Sequence, residues 1–158
     1  MRITCRTPST GKPVRIGTTN VPADEYLTIA NPPDYSVPDP SFKYPVRDPE
    51  DPARAIRPGE MFLLTPLMAM NRDTEDRWIE VRLVTELTNE IFVVGKVEVP
   101  AGDTVFIPIQ GRSLFKRDPD AINGDLLQVK AEVAGVFDVW GAGSESVSPE
   151  NSGVIKIT

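Results

Sequence analysis

The residues able to do chemistry are few, and histidine is not among them. Its absence removes the commonest general base, the nucleophile pairs in which a serine or cysteine leans on an imidazole, and the usual catalytic zinc ligand. Carboxylate-only hydrolysis needs two acids flanking a cleft. The acids here fall in turn-rich stretches (Asp48, Glu50, Asp51, Asp73, Glu75, Asp76) or on strand faces that read as solvated (Glu80, Glu98, Glu132). No catalytic residue is assigned, and the chain reads as non-enzymatic. Asp118, Asp120, Asn123, Gly124 and Asp125 bring hard oxygen donors close to a glycine. Counted from Asp118, however, Asn123 holds the sixth place and Val129 the twelfth, where a calcium loop needs glycine and glutamate. The run Ser9, Thr10, Gly11, Lys12 lacks the earlier glycine of a phosphate-binding loop. No metal and no cofactor is therefore expected.

What remains is aromatic. Trp78 and Trp140 fall on the polar side of their strands by parity, beside Glu80 and Arg82 and beside Asp138. A large ring on a polar face serves as an interface anchor or a sugar-stacking platform, or is covered by the chain's own extended segment. Tyr26, Tyr35, Phe42 and Tyr44 are spaced along the N-terminal region like a second set of interface anchors.

The elements that must position these side chains come in two styles. Eleven of the sixteen prolines lie in the first 58 residues. Proline fixes φ, biases the residue before it toward extended geometry and lacks an amide donor, so this stretch is not helical. It reads as an extended arm over residues 1–57, with a short strand at 25–29. Such an arm lies either on a partner or on its own domain. From residue 58 the pattern changes to period-two alternation: Ile79, Val81 and Leu83 against Glu80 and Arg82, then Val97 and Val99, then Val105, Ile107 and Ile109. Pro66 marks an edge or a bulge in the apolar run at 61–68. Pro100, Ala101, Gly102 and Asp103 predict a tight turn and a hairpin. Leu127, Val129, Ala131 and Val133 share one face. If Phe137 and Val139 join them by direct pairing, a three-residue loop at 134–136 is required, with Gly135 at positive φ. The expected fold is all-β, an antiparallel β-sandwich or jelly-roll-like domain over 58–143. A flexible link follows, and then a last strand, together spanning 144–158.

Composition narrows the partners. The net charge is -6 and the isoelectric point is near 4.7, against the clustered basic surface that nucleic acid requires. The N-terminus has no apolar leader core, and no uncharged apolar run approaches the roughly 20 residues of a spanning helix. No membrane contact is expected. Cys5, alone in the chain, is either a reduced thiol or half of an intersubunit disulfide.

Residues 57–141 resemble a small β-sandwich domain that recurs in structural proteins of tailed-bacteriophage virions. The resemblance rests on Arg57-Pro58-Gly59-Glu60, on Val81-Arg82-Leu83 and on the stretch from Val99 through Pro100, Ala101, Gly102 and Asp103 to Thr104. Its strongest part is Asn123-Gly124-Asp125-Leu126-Leu127-Gln128-Val129-Lys130-Ala131-Glu132, followed by Ala134-Gly135-Val136 and Asp138-Val139-Trp140-Gly141. It implies a homo-oligomeric virion component, assembled in the host cytoplasm, that contacts copies of itself and other virion proteins. It transfers no catalytic residues. A neck, collar or tail position is expected, with capsid decoration and a host-surface or carbohydrate-binding module as alternatives.

Overall fold

The computed structural model describes residues 2–4, 12–32, 46–47, 55–56, 59–86, 88–116, 124–147 and 154–156. Among the described residues the order is β1 (Arg2–Thr4), β2 (Lys12–Thr18), β3 (Leu27–Ala30), β4 (Val46–Arg47), β5 (Ala55–Ile56), β6 (Gly59–Leu63) and β7 (Leu67–Asn71). There follow β8 (Arg77–Val84), β9 (Ile91–Val99), β10 (Thr104–Ile107), β11 (Ser113–Lys116), β12 (Leu126–Ala131), β13 (Phe137–Val147) and β14 (Val154–Lys156). The protein is all-β, two antiparallel sheets forming a sandwich.

In the first sheet β6 and β7 make one long row interrupted at Pro66, and β10 and β11 make the row beside it. β13 pairs with β7 through residues 137–140 and with β6 through 143–147, while its other edge takes β2. The row order is thus β2, β13, β6/β7, β10/β11. The second sheet runs β3, β12, β8, β9. Followed along the chain, these eight rows pass between the sheets in the order of a jelly roll, two interlocked Greek keys, with β8 and β9 the one consecutive pair within a sheet. The period-two faces meet in the middle. Leu63, Leu67, Ala69, Phe137 and Val139 from one sheet are buried against Ile79, Val81, Leu127, Val129 and Ala131 from the other. Each large side chain so buried contributes about 1.5–3 kcal/mol.

Three expectations are corrected, and the position of Pro66 is settled between its two alternatives. The turn at 100–103 forms, with Gly102 at φ 74° and the Asp103 amide donating to the Pro100 carbonyl (3.0 Å). It joins β9 of one sheet to β10 of the other, so it is a corner and not a paired hairpin. Likewise Gly135 has φ 76°, yet β12 pairs with β3 and β8 while β13 pairs with β2, β6 and β7. Val133 and Phe137 therefore do not sit opposite each other in one ladder. Alternation records only which residues face the core, and strands facing each other across a sandwich carry the same pattern as strands paired within a sheet. Pro66 lies in a row flanked on both sides, at a bulge where the Leu64 and Thr65 amides both donate to the Ala142 carbonyl (3.0 and 3.3 Å). The link expected from 144 begins as strand, because β13 continues to Val147.

The proline-dense N-terminal region also contributes to the sandwich. β2 and β3 are edge rows of the two sheets, and Ile16, Val21 and Ala30 are core residues. Edge rows tolerate proline because one side of their backbone needs no ladder partner, which is how Pro13 lies within β2. The final strand β14 pairs with β1 in a small sheet of its own, and Cys5 lies outside the described residues.

One carboxylate holds the two sheets in register. Asp125, buried just before β12, accepts the Glu86 amide on one oxygen and the Phe115 amide on the other, both at 2.9 Å. Its own amide donates to the Phe115 carbonyl. Asp125→Ala removes two charge-assisted bonds from a buried carboxylate, so a loss of about 2–3 kcal/mol is expected. Chemical denaturation with unchanged slope checks it.

Candidate functional site

The outer face of the second sheet takes up the first of the expected anchors. Tyr26 folds onto it: its hydroxyl donates to Glu80 Oε1, the Arg82 guanidinium stacks 3.4 Å from the ring centroid, and Lys130 Nζ lies 5.3 Å away. Donation to the Glu80 carboxylate raises the Tyr26 phenol above its ordinary pKa. Trp78 stands on the same face and is half-buried, with Lys96 Nζ 4.1 Å over its ring. Both aromatics are thus engaged by cations of their own domain. Tyr35, Phe42 and Tyr44 lie outside the described residues.

Trp140 is on the other side of the molecule, on the outer face of the first sheet, and 39% of it is exposed. The two tryptophans therefore belong to different surfaces. Register places Trp140 directly opposite Gly17 on β2 and opposite Met68 on β7, and Met68 is in turn opposite Phe106 on β10. Phe106, Met68 and Trp140 form an apolar row running across the sheet. Where that row meets β2 a groove of about 640 Å³ opens. Gly17 is forced at this point: φ is 156°, and a β-carbon there would come within 2.2 Å of the Val139 carbonyl oxygen.

The groove has two unlike ends. At one, Asp138 pairs with Arg72 (Nε to Oδ1, 3.2 Å), and the Arg72 guanidinium also donates to the carbonyls of Thr19 (2.9 Å) and Gly135 (2.6 Å). One arginine thus ties three segments into a fixed wall. At the other end Arg15, two residues before Gly17 and opposite Ala142, is exposed. Among the described residues it has no acidic partner.

A third surface is the free edge of the second sheet. Among the described residues β9 pairs only with β8, and on it Ile91, Phe92 and Val93 are 55%, 48% and 59% exposed. The sequence alone does not mark this stretch as an edge, and it does not single out Arg15, Met68 or Phe106. The alternation of Val14 and Ile16 against Arg15 was the available signal for the β2 side of the groove.

The well-placed acids serve the fold. Asp73 pairs with Arg77 at 2.6 Å and is thereby held below the ordinary carboxylate range; Asp138 pairs with Arg72; and Asp125 caps amides. Among the described residues no three potential ligands gather to hold a metal ion.

No family model matches this chain, and no curated protein does. Among solved structures the chain is similar to the N-terminal endo-1,4-beta-D-xylanase 10B of Clostridium thermocellum, its CBM22-1 and GH10 modules complexed with xylohexaose. The identity is 12%, the match covers 65% of this chain and 18% of that one, and the TM-score is 0.32. A likeness of that degree carries no argument about fold or ligand.

Proposed function

We propose that this protein is a non-enzymatic structural component of a tailed-bacteriophage particle, joining copies of itself and neighbouring virion proteins at the neck, collar or tail. The observation that carries the reading is the β9 edge. A strand with one edge unpaired among the described residues and three consecutive exposed apolar side chains is a template for another strand. Proteins that stay monomeric blunt such edges with lysine, proline, a bulge or a covering loop, and here the bulge at Val94 and Lys96 lie beyond the exposed trio. The stretch Ile91-Phe92-Val93-Val94-Gly95 carries no charge and no proline. Addition of a partner strand there satisfies the free backbone groups and removes apolar surface from water in one step. The resemblance of residues 57–141 to virion sandwich domains supplies the particle context, as analogy of fold and motif.

Native mass spectrometry and light scattering of the full chain test the assembly role. The wild type is expected to form a defined oligomer. Val93→Lys, which places a charge on the exposed edge without touching the core, is expected to weaken that oligomer by at least about tenfold while leaving the melting temperature of the monomer unchanged. A wild type that stays monomeric at high concentration, or an oligomer indifferent to both Val93→Lys and Phe92→Lys, removes the edge from the argument.

A further inference from the structure

We propose that the groove at Trp140 binds a pyranoside that carries a carboxylate, with the indole as stacking platform and Arg15 as the anion anchor. The site lies on the sheet opposite the β9 edge and does not rest on the assembly reading.

Three observations converge on this ligand. The first is the platform. Because the residue across the ladder from Trp140 is Gly17, the ladder partner offers no side chain to cover the indole, and the β-carbon clash at Gly17 keeps any other residue out of that position. A flat apolar ring left partly bare beside polar groups suits the C–H face of a sugar ring, which is apolar on its flat side and ringed by hydroxyls. The second is the pair of ends. Arg15 and Thr19 are four residues apart on an extended segment, so the ends of the groove are separated by about 13 Å. Arg15 offers a planar fork of donors to a carboxylate at one end. At the other, the Thr19 hydroxyl is exposed and unbonded among the described residues, and Asp138 Oδ2 can accept from a sugar hydroxyl while Oδ1 stays with Arg72.

The third is charge. Asp138 is already paired with Arg72, which leaves Arg15 as the one cation of the groove without an acidic partner among the described residues, in a chain of net charge -6, so a doubly charged phosphate would carry more charge than one arginine offsets. A singly charged carboxylate held away from Asp138 by the width of a sugar ring does not. At about 640 Å³ the groove is within the roughly 300–1,000 Å³ of small-ligand sites.

The test uses the full-length protein with its tryptophans labelled, so that each indole N–H gives its own NMR signal, and Trp78 on the opposite face acts as the internal control. The probes are a hyaluronan tetrasaccharide, which alternates glucuronate with a neutral sugar, the neutral chitotetraose, and uridine monophosphate. The expected result is a saturable shift of the Trp140 signal alone, with the acidic tetrasaccharide binding about tenfold more tightly than the neutral one, the effect of one charge-assisted contact. Arg15→Gln is expected to reduce the acidic probe to the affinity of the neutral one. Because Arg15 is exposed, this variant keeps the fold even if Trp140→Ala does not. No saturable shift at millimolar probe, equal affinity for acidic and neutral tetrasaccharides, or tighter binding of uridine monophosphate would each overturn the proposal.

Discussion

Gly17→Ala is expected to lower stability by about 3 kcal/mol, at the upper end of ordinary overpacking, and the melting temperature by roughly 10 °C. The added carbon would fall 2.2 Å from the Val139 carbonyl oxygen and 3.0 Å from the Trp140 α-carbon. Both are backbone atoms of the row that β2 pairs with, so no side-chain rotation relieves the contact, and the backbone φ of 156° is one that a β-carbon disfavours. The only relief is separation of β2 from β13. The thermal midpoint by circular dichroism measures the cost. A loss below about 1 kcal/mol would mean that β2 can move off without consequence. Exchange of the β2 amides, faster in the variant than those of β12, would place the damage on that edge.

The second large effect is expected at Asn71, which is completely buried at the end of β7. Its amide nitrogen donates to the carbonyls of Glu75 (2.8 Å) and Val99 (2.9 Å), and its side-chain oxygen accepts the Asp73 amide (2.9 Å). Its backbone receives the Gly102 amide and donates to Asp103. One side chain thus fixes the corner where the chain passes from β9 to β10. Asn71→Asp keeps the acceptor but turns both donor contacts into an anion facing two carbonyl oxygens. A loss of about 3–4 kcal/mol at neutral pH is expected, larger than for Asn71→Ala at about 2–3 kcal/mol. The aspartate variant should recover part of the deficit as pH falls, since its buried carboxyl is displaced upward from the ordinary value and regains a donor when protonated. Urea denaturation of both variants at neutral and mildly acid pH decides it. A pH-independent deficit would show that the corner does not depend on these donors.

Much of the sandwich was legible because alternation is a statement about one side of one strand. Ile79, Val81, Leu127, Val129, Ala131, Phe137 and Val139 all face the core as their spacing predicts. The glycines at 102 and 135 mark real turns. Pairing was not legible, because β12 and β13 bury the same kind of face whether they lie side by side or across the core. Nor was the groove: Arg15 and Trp140 are brought together only by the β2–β13 register, and the density of proline around β2 concealed a strand whose edge position makes proline acceptable. The aromatic signal for Trp140 was present in the sequence. The cation and the bare glycine beside it became visible only with the ladder.

The position of β13 also sets the order of events when the protein is made. β13 is the last row of the sandwich to be synthesised, yet it lies between β2 and the β6/β7 row and is hydrogen-bonded along both sides. Until it emerges, the first sheet exists as two halves with open ladders on either side of a missing centre, and β2 waits through more than a hundred residues for its partner. Closure by such distant pairing is slow compared with local hairpin formation, and exposed ladders in the interval favour association with the wrong strand. Refolding of this chain should therefore be slow and sensitive to protein concentration, and a nascent chain arrested before β13 should depend on chaperones that shield unpaired strands.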